Sequence, residues 1–217
     1  MTLVYGLCVN PLPDPLSVPR IMEGLPEERR KKILRFRQEK GRRQSLGAGL
    51  LLKYVMDEYG ISMDTVHYGK NGKPEAEGIC FNLSHSHEMV ICAVSRKPVG
   101  CDIQWMGKAE MKVAEHFFCP EELAYLRQFE GEKLDEAFCR LWTMKESYIK
   151  MTGEGMSLSF RKFTVIPGET IQVMREGVRE ECFLKEYGMP GYRVTVCAEE
   201  KEFEEEIRMT DVPIASY

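Results

Sequence analysis

FCRLWTMKESYIKMTGEGMSL, residues 138–158, is the stretch from which the rest of the chain is best read. Phe138, Leu141, Trp142, Tyr148 and Ile149 recur at helical spacing, so one stripe of a helix faces a core. Among them lie Lys145, Glu146 and Lys150, with Glu146 and Lys150 four residues apart on one face. The helix is predicted to end in Thr152-Gly153-Glu154-Gly155, where glycine takes the left-handed backbone of a C-cap. A Glu followed four residues later by Lys is also a common solvated pair, worth about 0.2–0.5 kcal/mol. On these residues alone both readings, solvated pair and reactive pair, stand.

The 217 residues suffice for one large domain or two small ones. No apolar run reaches membrane-spanning length, and MTLVYGLCVNPLPDP at the N-terminus reads as a strand, not as a signal peptide. Eight cysteines occur without a C-x-x-C pair, several in apolar settings such as Ile79-Cys80-Phe81, which predicts reduced core thiols in a cytoplasmic protein. Net charge is −4 but unevenly spread. Arg29, Arg30, Lys31, Lys32, Arg35, Arg37, Lys40, Arg42 and Arg43 face Glu39 alone, while the region from Glu199 to Glu206 is acidic. A basic stretch inside an acidic protein points to a local anionic partner more than to nucleic acid; the acidic run reads as a solvated face.

Along the chain, Pro26-Glu27-Glu28 opens a helix, and a second helix is expected from about Arg42 to Tyr59 with Leu46, Leu50, Tyr54 and Val55 inward. Gly47-Ala48-Gly49 lies inside that helical pattern, follows no strand and lacks a Gly-Lys-Ser/Thr ending, so it is no phosphate loop; its small residues suit close packing. Strands are expected over Thr65–Tyr68, Ile79–Leu83, Met89–Ser95 and Val99–Trp105, with Ser84-His85-Ser86-His87-Glu88 as the connection between the second and third. Gly69 to Pro74 reads as a turn. Helices are expected over Lys108–Phe117 and Pro120–Phe129, and Phe160 to Cys197 reads as mostly β. The pattern predicts an α+β protein of two packed halves, residues 1–97 and 98–217.

Asp102 and Gln104 stand two apart on a strand and share a face. Asp102 together with Glu146 would offer Mg²⁺ two hard oxygen donors, though an Asp that merely ends a strand reads the same way. Ser84-His85-Ser86-His87, with Lys73 nearby, is either a phosphate-binding set or a polar hairpin. Zinc on the two histidines lacks further ligands at the right spacing.

In order, the chain has Gly72-Lys73-Pro74, Phe81-Asn82-Leu83-Ser84-His85-Ser86, Val99-Gly100-Cys101-Asp102-Ile103, Phe117-Phe118 before Glu121-Glu122, and Trp142-Thr143-Met144-Lys145-Glu146-Ser147 with Lys150 and Gly153-Glu154-Gly155. This succession closely resembles the surfactin-synthetase-type 4′-phosphopantetheinyl transferases from about Pro26 to Leu158. The resemblance implies a pseudodimer of two similar α+β halves with coenzyme A between them, moving 4′-phosphopantetheine onto a serine of an apo acyl or peptidyl carrier protein. Such carriers serve fatty-acid, polyketide or nonribosomal peptide synthesis. By the same resemblance, Asp102 and Glu146 match Mg²⁺ carboxylates, and Lys73, Pro74, Ser84, His85 and Lys150 match positions around the phosphates and nucleotide. Lys31 and Arg43 match basic positions near the 3′-phosphate.

Chemistry agrees with that assignment. A carrier serine needs a base, for which Glu146 is the candidate, directly or through water, while Lys150 contacts the phosphates and Lys145 orients or neutralises. The family usually carries an acid where this chain has Gln104, which removes one charge from the metal site and opens it to Mn²⁺. The expected enzyme is an active monomer that uses neither nucleic acid nor membrane. Its rivals are a non-catalytic coenzyme A-binding protein, suggested by Gln104, and a metal-dependent phosphoesterase.

Overall fold

The computed structural model describes residues 1–69 and 73–211; Lys70, Asn71 and Gly72 of the expected turn lie outside the described residues. In chain order the elements are β1 (Leu3–Cys8), α1 (Glu27–Leu34), α2 (Glu39–Glu58), β2 (His67–Tyr68), β3 (Pro74–Glu75), β4 (Cys80–Ser86), β5 (Met89–Ser95) and β6 (Val99–Trp105). There follow α3 (Met111–Phe117), α4 (Pro120–Leu126), α5 (Gly131–Thr152), β7 (Phe163–Ile166), β8 (Gln172–Arg175), β9 (Val178–Arg179), β10 (Phe183–Met189), β11 (Tyr192–Ala198) and β12 (Arg208–Met209).

Two sheets carry the architecture, ordered β12-β1-β5-β4 and β10-β11-β6. Each has a long helix on it. Leu46, Leu50, Leu51 and Val55 of α2 pack on the first sheet, and Gly47 comes so close that a Cβ there would lie 2.4 Å from Val9 Cγ1. Leu141, Met144, Tyr148 and Ile149 of α5 form a second core with β7 and β8. A third core joins the sheets, with Val4, Ile91 and Ala93 against Val99, Ile103, Tyr187, Val194 and Val196. The expected α+β class holds. The division at residue 97 falls in the turn between β5 and β6, while Arg208 and Met209 return to pair in parallel with β1.

The junction itself is unusual. Strands β4 and β6 are the facing edges of the two sheets, and three side chains of β4 take the place of a backbone ladder. Asn82 Oδ1, Ser84 Oγ and Ser86 Oγ accept the backbone N–H groups of Cys101 (2.9 Å), Ile103 (3.3 Å) and Trp105 (2.9 Å), a constant offset of 19 residues. Alternation on β4 sends these three polar groups into the seam. The connection expected over Ser84 to Glu88 is therefore corrected: β4 runs through Ser86, which pairs with Met89, and only His87 and Glu88 turn. Polar residues that read as a loop are here buried strand residues satisfying the neighbouring edge.

Helix α5 begins at Gly131 and ends at Gly153, whose φ of 71° is the left-handed cap read from the sequence. Its backbone lies directly on β6. A Cβ at Gly100 would stand 2.1 Å from Ser147 O and 2.3 Å from Met151 N, so only glycine lets the helix approach this closely. Both obstacles are backbone atoms and cannot rotate away. Gly100→Ala should destabilise the protein by about 1–3 kcal/mol, the cost of overpacking, read as a lower urea midpoint with an unchanged m-value.

Candidate active site

Between the two halves lies a cleft of about 910 Å³. Its lining carries a cationic and polar set, Arg29, Lys32, Ser45, Lys73, Pro74, His85 and Lys150, an aromatic set, Phe117, Trp142 and Phe160, and Glu146. The aromatic wall is a packed set, with Trp142 5.3 Å from Phe160 and 6.0 Å from Phe117 between ring centroids.

The close approach of α5 to β6 brings Glu146 and Lys150 beside Asp102. Lys150 Nζ donates to Asp102 Oδ1 at 2.6 Å and to Ser84 Oγ at 3.1 Å, instead of reaching back one turn to Glu146. Burial alone would weaken that ammonium, but the charge of Asp102 overrides it and holds Lys150 above its usual pKa. Glu146 makes no hydrogen bond or ion pair among the described residues. Burial pushes its carboxyl up, the charge of Lys150 opposes this, and the carboxylate of Asp102 adds to it. Two carboxylates near enough to repel, one unpaired, form a donor set that suits a hard divalent cation.

No group of three or more His, Cys, Asp or Glu side chains gathers for a metal among the described residues, so phosphate and water oxygens would have to complete the coordination. Gln104 is exposed, two residues beyond Asp102 on the same face of β6. Across the sheet from it stands Arg193, paired with Glu136 of α5.

Apart from Lys150, which Asp102 balances, the cations of the lining have no ion-pair partner among the described residues. Arg29, Lys32 and Lys73 take part in no ion pair among the described residues, and burial pushes all three pKa values down. Arg29 is 6% exposed with its Nε unpartnered, and Ser45, 4% exposed, leaves its Oγ unpartnered. Lys73 Nζ donates to Lys150 O at 2.9 Å, bridging to the end of α5. At His85, burial first and then the charges of Lys150, Arg29 and Lys32 lower the imidazole pKa. Such a wall is built for a polyanion.

Of the residues singled out in the sequence, Lys73, Pro74, His85, Glu146 and Lys150 line this cleft. Ser84 and Asp102 sit behind it in the seam, 7% and 6% exposed. Lys31 and Arg43 lie off the lining, Lys31 in exposed pairs with Glu27 and Glu28 and Arg43 with Glu39. Arg29 is buried on α1 with Ile33, four residues on, and the exposed Lys32 beside them reaches the cleft lining, a helical signal that could have separated both from Lys31.

Lys145 has a different office. It is fully buried, and its Nζ donates to Glu122 Oε1 at 2.7 Å, Glu122 Oε2 at 3.0 Å and Phe163 O at 2.7 Å. Glu122 also accepts from Cys119 N and Val165 N, so one carboxylate ties α4, α5 and β7. Burial pulls the Lys145 ammonium down and Glu122 opposes it. The pair fixes α5 from behind its reactive face. Lys145→Met should cost about 3–5 kcal/mol, because it strands a buried carboxylate. Adding Glu122→Gln should restore part of that loss in chemical denaturation.

Residues 98–197 match the 4′-phosphopantetheinyl transferase superfamily. Over 218 residues the chain is 33% identical to the 4′-phosphopantetheinyl transferase Sfp of Bacillus subtilis (strain 168), covering 95% of this chain and 96% of that protein. It is 35% identical over 161 residues to the 4′-phosphopantetheinyl transferase gsp of Aneurinibacillus migulanus, covering 72% of this chain and 68% of that one. Among solved structures it is similar to a holo-(acyl-carrier-protein) synthase from Bacillus anthracis str. Ames in complex with CoA (3′,5′-ADP), with 18% identity, a TM-score of 0.40, and coverage of 48% of this chain and 96% of that chain. The match to Sfp runs through both halves and the cleft between them, and this chain belongs to the 4′-phosphopantetheinyl transferase family.

Proposed function

We propose how this cleft transfers 4′-phosphopantetheine from coenzyme A to the serine of an apo carrier protein. The observation that carries the reading is the Glu146 carboxylate beside Asp102, without an ion pair among the described residues, in a cleft where Arg29, Lys32 and Lys73 likewise have none. Arg29, Lys32 and Ser45 would receive the 3′-phosphate end of the nucleotide, and Lys73, His85 and Lys150 the pyrophosphate. The uncharged pantetheine arm would follow the wall of Phe117, Trp142 and Phe160. Pro74 opens β3 on the cleft lining, while Lys31 and Arg43 stand off the lining and raise the local potential.

Asp102 and Glu146 would hold Mg²⁺, with Gln104 two residues along offering a neutral amide oxygen, a set that would admit Mn²⁺ as well. When bound, the ion supplies positive charge to the pyrophosphate and to the departing 3′,5′-ADP. Glu146 takes the proton of the carrier serine, directly or through water, as its raised pKa equips it to do. The serine oxygen then forms a bond to phosphorus as the bond to 3′,5′-ADP breaks. Lys150 places its charge beside the phosphates and donates to the neighbouring Asp102. One chain supplies both walls, which supports an active monomer; its eight free thiols suit the cytoplasm. The basic face from Arg29 to Arg43 offers acidic carriers an electrostatic approach.

Incubation with coenzyme A, Mg²⁺ and an apo carrier protein, followed by mass measurement of the carrier, tests this directly. The expected result is a mass gain of one phosphopantetheine with release of 3′,5′-ADP. An unchanged carrier with intact coenzyme A would mark a binding protein, and coenzyme A breakdown without carrier modification would mark a phosphoesterase. Glu146→Gln should abolish transfer while leaving the thermal transition within a few degrees of wild type, since it removes a metal charge and the base together. Near wild-type turnover of that variant at saturating Mg²⁺ would remove Glu146 from this role.

A further inference from the structure

Ser84 stands at the meeting point of the seam and the cleft, and its hydrogen bonds are fully accounted for. A serine hydroxyl has one hydrogen to donate and two lone pairs to accept with. Asp102 Oδ1, 2.8 Å away, is an acceptor only and takes the hydrogen. The backbone N–H of Ile103 (3.3 Å) and the ammonium of Lys150 (3.1 Å) are donors only and occupy the lone pairs. A phosphate oxygen, itself an acceptor, can take the Ser84 hydrogen only if Asp102 gives it up. Ser84 itself is off the cleft lining and 7% exposed, although Asn82, Leu83 and His85 of the same strand are on it.

We infer that Ser84 is a positioning residue for the metal carboxylate and not a ligand of the coenzyme A phosphates, an inference that rests on the reading of the cleft given above. Its hydroxyl and Lys150 both engage Oδ1 of Asp102, fixing the rotation of the carboxylate while Oδ2 takes no part in either contact. The carboxylate is thereby presented in one orientation, held by a group anchored to the backbone of the same strand at Ile103. Ser86 is the natural comparison. It forms the next rung of the same seam, accepting from Trp105 N at 2.9 Å, but does not touch Asp102.

The test compares Ser84→Ala with Ser86→Ala. Half-saturating Mg²⁺ is measured in the transfer assay, Mn²⁺ affinity by electron paramagnetic resonance at fixed coenzyme A, and coenzyme A affinity by calorimetry at saturating Mg²⁺. Positioning predicts that Ser84→Ala raises half-saturating Mg²⁺ and weakens Mn²⁺ by roughly tenfold, the scale of one charge-assisted hydrogen bond. Coenzyme A affinity at saturating metal should stay within about twofold of wild type, since no phosphate contact is lost. Ser86→Ala should lower thermal stability with metal dependence unchanged. A roughly tenfold loss of coenzyme A affinity at saturating Mg²⁺ would make Ser84 a phosphate ligand and overturn the inference. So would identical behaviour of the two variants, which would reduce Ser84 to a rung of the seam. If Ser84→Ala shows no cooperative unfolding transition, Ser84→Cys, with similar volume and a weak donor, carries the same comparison with a smaller metal effect. Failure of the wild-type enzyme to modify any carrier would instead count against the reading of the cleft.

Discussion

The chemistry of this protein depends on how closely the backbone of α5 can approach β6. Gly100 removes the one Cβ that would hold the helix off, and Ser147 and Met151 settle into the space. Glu146 and Lys150, carried on the same turns, then reach Asp102, two residues further along β6. The buried Lys145–Glu122 pair holds the opposite side of the helix, and the Asn82–Ser84–Ser86 rungs hold β6 against the first half. The site is thus assembled from both halves, and each constraint on α5 is also a constraint on where its carboxylate stands.

Electrostatics gives the cleft its direction. Arg29 and Lys73 are buried or partly buried cations, and Lys32 an exposed one, without ion-pair partners among the described residues, an arrangement that a polyphosphate would complement. Lys150 is the exception, because Asp102 already balances it. Among the described residues Glu146 is the one carboxylate on the cleft lining, displaced toward its neutral form by burial and by Asp102. A carboxyl whose pKa is raised by burial is a better proton acceptor than a solvated one, while cations beside it would favour an anionic substrate and leaving group.

Much of this was legible in the sequence because it is local. The helical stripe of 138–149, the Gly153 cap and the strands over 89–95 and 99–105 follow from spacing and composition, and the structure has them. What escaped was non-local. Glu122 lies 23 residues before Lys145, so nothing in the spacing shows that Lys145 is wholly buried against it. Ser84 and Ser86 look like turn residues because their burial depends on an edge strand 19 positions later. Which basic residues face inward depended on the rotation of α1, marked by Ile33 alone. The motif order identified the family where periodicity could not, since chemistry-bearing residues break the local rules that make elements readable.

A crystal grown with coenzyme A and Mn²⁺, and its anomalous difference map, test the central claim most directly. The account predicts one strong peak bound by Asp102 and Glu146, pyrophosphate oxygens on the same ion and against Lys73, His85 and Lys150, and the 3′-phosphate at Arg29 and Lys32. An ion bound away from Asp102 and Glu146, or a nucleotide lying along the wall of Phe117, Trp142 and Phe160, would contradict it.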